Sequence, residues 1–267
     1  FPYTTLFRSK TCEWEEYIVH KVSDYEIIQK NLASEQDVQV LDEITKDVKR
    51  TKTHMHFFFM PSKANPNELN SDVLTRILYN FALLHPDIKY VQGMNELLAP
   101  IYYCFSNNTN LFFINSIEAE CFYCFENLML EIKEIFLKEK DHTSTGIHAR
   151  IKKIDVMLEL VDPDLYGHFY SQNILTEYFA FRWLTLFFTQ EFNMADILRI
   201  WDCILTYTDK FEYVSYLCVA VIVMNRDSLL NKDFSNIMYV MQNLNLLDID
   251  IEKLVATTDK VRIILNN

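Results

Sequence analysis

Two short stretches hold polar side chains whose types and spacing bear on chemistry. The first is Ile44-Thr-Lys-Asp47-Val-Lys-Arg50-Thr51. Steps of three put Ile44, Asp47 and Arg50 on one helical face. Ile44 can anchor that face in a core, while the Asp47 carboxylate holds the Arg50 guanidinium through a charge-assisted contact. Taken alone, an Asp–Arg pair at this spacing is usually a surface ion pair worth roughly 0.2–0.5 kcal/mol.

The second stretch is Tyr90-Val-Gln92-Gly93-Met-Asn95. Gly93 permits a backbone shape that other residues resist. It lets the Gln92 carboxamide project instead of folding back on the core, and Asn95 can satisfy local backbone groups. The plainer alternative is a helix N-terminus with a capping asparagine. Other candidates are weaker. His54 and His56, or Cys121 and Cys124, supply two metal ligands where a zinc site needs more. No Ser or Cys nucleophile sits at a glycine-flanked elbow.

The elements that must position these residues read as helices. Apolar residues recur at steps near three and four over Trp14–Gln29, Asp37–Arg50 and Glu68–Leu84. His85-Pro86 ends the third, because the residue before proline leaves the helical region. A helix follows Tyr90–Asn95, with Pro100 either kinking it or marking its start. Leu111–Glu139 reads as one long amphipathic helix or two abutting ones. Further helices are expected over Ile147–Val161, Pro163–Ser171, Leu175–Gln190, Met194–Tyr207, Glu212–Asn225, Phe234–Leu244 and Ile249–Ile264. Asn193 is a candidate N-cap, with Asp196 reaching back to it. Thr51–Asn67, Asn107–Asn110 and Asp141–Gly146 read as loops or turns. No stretch rich in Gly, Ser or Pro divides the chain, so an all-α fold in a single large multi-helix domain is expected. Phe1–Ser9 show no periodicity and are set aside as a tag, a cloning remnant or a misread sequence end.

Composition narrows the function. The 267 residues contain three glycines, Gly93, Gly146 and Gly167, whereas a dinucleotide or phosphate loop needs several close together. Any nucleotide chemistry therefore belongs to a partner. A net charge of −12 without a basic stripe disfavours nucleic acid. The six cysteines sit singly in apolar runs, except Cys121 and Cys124, and fit a core in a reducing, cytoplasmic compartment. Apolar runs such as Leu97–Phe105 and Tyr216–Met224 are about half of the ~20 residues that span a bilayer.

In order along the chain, these segments resemble the TBC domain, the GTPase-activating domain for Rab proteins. That family carries Ile-x-x-Asp-x-x-Arg followed by Tyr-x-Gln-Gly-Met, which stand here as Ile44–Arg50 and Tyr90–Met94. The likeness continues through Phe179-Ala-Phe-Arg-Trp-Leu184, Gln190-Glu-Phe192 and Asp196-Ile-Leu-Arg-Ile-Trp-Asp202. The resemblance implies a TBC domain over residues 14–267 lacking its N-terminal helix, with residues 1–13 outside it. It implies that Arg50 stabilises charge on a partner's GTP and that Gln92 orients the attacking water. Asp47, Tyr90, Gly93 and Asn95 support these two. It implies no cofactor of the chain's own, GTP and Mg²⁺ being held by a Rab-family small GTPase, and contact with endomembranes only through that partner. A catalytically silent Rab-binding adaptor is the alternative. Arg182 and Trp183, like Trp201 and Asp202, read as framework: a core tryptophan beside a paired arginine.

Overall fold

The helical spacing is realised as thirteen α-helices among the described residues of a computed structural model, residues 11–107, 111–136, 143 and 146–266. Phe1–Ser9 lie outside these residues, as do the side chain of Trp14 and parts of the turns expected at 107–110 and 141–146. No β-strand occurs among the described residues; Pro61 and Leu69 make one isolated antiparallel bridge. The chain forms two compact units, residues 1–136 and 137–267, a division that no Gly-, Ser- or Pro-rich stretch announces.

The first unit holds α1 (Thr11–Leu32), α2 (Val38–Val48), α3 (Asn70–Leu84), α4 (Met94–Ser106) and α5 (Ile117–Ile132). Its pivot is α3, which packs on the other four. Val73, Ile77, Leu78 and Phe81 are buried on it. Its exposed backbone entry is closed by Asp72, whose carboxylate accepts from the Leu69 N–H at 2.8 Å. From the same helix Arg76 donates to Glu118 at 2.6 and 2.8 Å and to Glu68 at 2.9 and 3.2 Å. Tyr25 on α1 donates to the same Glu118 at 2.9 Å, so three helices meet on one carboxylate. Planar guanidinium forks suit such paired contacts, which set direction as well as attraction.

The second unit holds α6 (Ile147–Val161), α7 (Pro163–Ser171), α8 (Glu177–Thr185), α9 (Met194–Thr206), α10 (Lys210–Met224), α11 (Arg226–Leu229), α12 (Phe234–Gln242) and α13 (Ile251–Asn266). Helix α10 is apolar nearly all round, and so it is central, against α6, α8, α9 and α13. Asn193 caps α9 as expected, accepting from the Asp196 N–H at 3.2 Å. The Asp196 carboxylate returns to the Asn193 side-chain amide instead of its backbone.

Three expected elements differ, and for Pro100 one of two expected placements is decided. The segment 111–139 contains a 3₁₀ turn at Leu111–Ser116 before α5 begins, and α5 ends at Ile132. The loop 51–67 contains a 3₁₀ turn, His56–Phe59, with Phe58 buried. Pro100 lies inside α4, whose start is set by Gly93. The helix expected through Gln190 stops at Thr185, because Phe187 and Phe188 adopt φ of 48° and 61°. Two bulky left-handed residues in succession are rare. Here Trp201 holds the turn, donating from Nε1 to the Phe187 carbonyl at 3.0 Å. The reversal returns Glu191 to Arg182, which donates to it at 2.6 and 3.0 Å. Trp183 is fully buried beside them, so the framework reading of Arg182 and Trp183 holds.

Among the described residues no helix is long and apolar enough to cross a membrane. Cys121 and Cys124 are both buried on α5, as core residues are.

Candidate functional site

Helix α2 reaches the site with one buried face. Asp37 caps its start, accepting from the Val40 N–H at 3.1 Å, and Ile44, Asp47 and Val48 are its buried residues. Arg50 falls two residues beyond the last helical residue. The turn there is held by the Arg50 N–H donating to the Asp47 carbonyl at 3.0 Å. The Arg50 side chain is 69% exposed, while that of Asp47 is 10% exposed. Their contact is short: Nη2 donates to Oδ1 at 2.6 Å. Arg50 Nε also donates to the Lys46 carbonyl at 3.3 Å. The carboxylate is thus fixed in the protein and the guanidinium is tethered at its rim.

The second segment is reached through α3. His85-Pro86 ends that helix, and Lys89 at φ 61° reverses the chain. Tyr90 then turns inward and Gln92 is exposed. Gly93 has φ 106° and ψ −19°, a shape that a side chain would strain. Its N–H donates to Asn95 Oδ1 at 3.2 Å, so Asn95 holds the turn that lifts Gln92.

Both segments are tied to each other. The Tyr90 hydroxyl donates to Asp47 Oδ2 at 2.8 Å and lies 3.3 Å from Asn95 Oδ1. The Asn95 amide donates to the Thr51 hydroxyl at 2.8 Å, and Thr51 donates to the Asp47 carbonyl at 3.1 Å. Asp47, Thr51, Tyr90 and Asn95 are buried. Burial above all, then the hydrogen bond to Asp47 and its charge, push the Tyr90 phenol well above its ordinary range. Tyr90 therefore remains a donor at every physiological pH. All six residues singled out in the sequence are gathered here. Asp47, Tyr90, Gly93 and Asn95 form the buried base, and Arg50 and Gln92 the exposed tips.

Sequence reading passed over three residues. Thr51 bridges the segments, and Lys52 and Glu96 form a buried pair with Nζ and Oε2 3.6 Å apart. A threonine and a lysine in a loop carry no signal of burial. The only pointer was position, each lying within two residues of a segment already in view.

Fold and site together define an all-helical domain presenting an arginine and a glutamine from one buried polar network. The chain belongs to the Rab-GTPase-TBC domain family, which it matches over residues 3–230. It is 39% identical over 197 residues to human TBC1 domain family member 13, a match covering 71% of this chain and 49% of that protein. It is 27% identical over 226 residues to the Schizosaccharomyces pombe GTPase-activating protein gyp7, covering 82% of this chain and 28% of that protein. The chain thus spans about half the length of the human relative and less of the yeast one. Its fold is similar to the crystal structure of the Ypt/Rab-GAP domain of Gyp1p, with a TM-score of 0.80 and 25% identity over 93% of this chain and 81% of that chain.

Proposed function

We propose that this chain accelerates GTP hydrolysis on a Rab-family small GTPase by lending it Arg50 and Gln92. The observation that carries the reading is the pairing of two exposed polar tips on one buried base, in a chain of this family. GTP and Mg²⁺ belong to the partner, and the chain contributes no cofactor of its own.

Phosphoryl transfer to water spreads charge over the equatorial oxygens of the transferring group. Arg50 brings a permanent charge with forked donors, and Asp47 aims it. An arginine supplied in this way is worth roughly 10³–10⁵ in rate. The Gln92 carboxamide donates from its nitrogen to a phosphate oxygen and accepts on its oxygen from the attacking water. Gly93 and Asn95 hold that carboxamide clear of the protein. The partner is membrane-attached, and the chain meets membranes through it.

The test is single-turnover hydrolysis on a panel of GTP-loaded Rab proteins. At least one should be accelerated by the wild-type chain. Arg50→Ala should lower that rate about 10³-fold, and Gln92→Ala about 10²-fold, the usual cost of one transition-state donor. Near-wild-type rates in either variant would remove the role assigned to it. Tight binding to the GTP form without turnover would replace the activator by an adaptor.

A further inference from the structure

Beyond the residues assigned to the two tips and their base, the site contains a buried ion pair. Lys52 and Glu96 lie 3.6 Å apart with side chains 5% and 9% exposed. Lys52 directly follows Thr51, and Glu96 directly follows Asn95. Thr51 already accepts from Asn95 at 2.8 Å. Two consecutive residues after the arginine therefore meet two consecutive residues at the start of α4. Lys52 also has φ 45°, in the left-handed region where glycine or asparagine would be cheaper. Its carbonyl accepts from the Met55 N–H at 2.7 Å, closing the turn behind Arg50. A lysine in that conformation, with its ammonium turned inward, is an unusual choice for a loop.

Burial of a charged pair is a poor way to gain stability, since well-packed apolar residues of similar volume often do as well or better. Its best-attested use is to select one register among several, because only one register satisfies both charges. We propose that Lys52 and Glu96 are positioning residues that fix the register of the Arg50 segment against the Gln92 segment. This rests on the reading that both tips act together on a partner's GTP. Thr51–Asn95 and Tyr90–Asp47 already tie the two segments. The ion pair adds a further tie one residue along from Thr51–Asn95, past Arg50 in the chain, and so opposes sliding of one segment against the other. Asp47 then aims the guanidinium within a frame whose relation to Gln92 is already set. Misplacement by about 1 Å is enough to cost roughly 100-fold in such chemistry.

Register and stability are separated by Lys52→Met/Glu96→Leu, which replaces the pair with apolar side chains of similar length. Three quantities are measured: the melting temperature, kcat and KM on a GTP-loaded Rab, and hydrogen–deuterium exchange of segments 47–55 and 90–97 in the chain alone. The double variant should melt near the wild type. Its kcat should fall about tenfold or more while KM stays within about threefold, the sign of an interaction that acts in the transition state. Exchange should rise in both segments together. Retained kcat at wild-type melting temperature would make the pair merely structural and overturn the proposal. So would a raised KM with intact kcat, or increased exchange in one segment alone. If the double variant does not fold, Lys52→Gln/Glu96→Gln removes both charges together, so that no buried charge is left unpaired. It should show the same exchange pattern and a kcat lowered about fivefold, and wild-type behaviour in both would overturn the idea. A wild-type chain that activates no Rab would sink the proposed function, while the exchange measurement would still decide whether the pair couples the segments.

Discussion

Tyr90→Phe deletes one oxygen from the centre of the site. That oxygen donates to Asp47 Oδ2 at 2.8 Å and lies 3.3 Å from Asn95 Oδ1. The ring keeps its packing, so the loss is polar. A hydrogen bond to a charged group contributes about 1.5–3 kcal/mol. The upper half applies here, because the Asp47 side chain is only 10% exposed and water cannot readily replace the donor. In a chain of this size each kcal/mol lowers the melting temperature by about 2–4 °C, so a fall of about 4–12 °C is expected. The functional effect comes through Asp47, which keeps its 2.6 Å contact with Arg50 but loses the anchor on its other oxygen. A carboxylate free to rotate aims the guanidinium less well, and kcat/KM on a GTP-loaded Rab should fall about 10–100-fold. Thermal unfolding and single-turnover hydrolysis on the same preparation measure both effects. A variant that melts within about a degree of wild type and keeps its rate would refute the claim that this network holds Arg50.

Two further outcomes follow from charge and burial. Arg182→Met removes two hydrogen bonds from Glu191, whose side chain is 1% exposed. It should cost about 3 kcal/mol in chemical denaturation, the low end for a broken buried pair because water reaches the arginine side; a cost below about 0.5 would show that Glu191 does not need it. Burial is also the leading cause that raises the phenols of Tyr25, Tyr90 and Tyr102 in the first unit, Tyr102 to about 12. Folded pKa values above the unfolded value of about 10 leave stability whole below pH 10. Above it, stability is lost by up to about 1.4 kcal/mol per pH unit for each such tyrosine. Ionisation of these three tyrosines, read as a late fraction of the titration at 295 nm, should therefore coincide with loss of helical circular dichroism above pH 10. Ionisation of all tyrosines near pH 10 with the helices intact would contradict this.

Much of the helical layout was legible in the chain itself. Ile44, Asp47 and Arg50 at steps of three announced a face, and two members of that face are buried. Asn193 announced a cap, and His85-Pro86 a stop. These signals are local, resting on near neighbours. Gly93 was legible for a related reason: in a chain with three glycines, one beside a glutamine marks a backbone need. The turn at Phe187–Phe188 was hidden because no glycine or asparagine advertises its left-handed shape, which Trp201 enforces from another helix. Lys52 was hidden likewise. Its burial depends on Glu96, and nothing near Lys52 in sequence reveals that partner.

The cross-ties of the site carry a consequence for how the molecule assembles. Asp47 and Tyr90 are 43 residues apart, and Thr51 and Asn95 are 44 apart. Bringing such distant points together costs about 3 kcal/mol in chain entropy before any bond rewards it. Helical turns need no such closure and form from near neighbours on far shorter timescales. The polar base of the site therefore depends on long-range closure that helix formation by itself does not supply. Helicity is in that sense a poor proxy for competence in this protein.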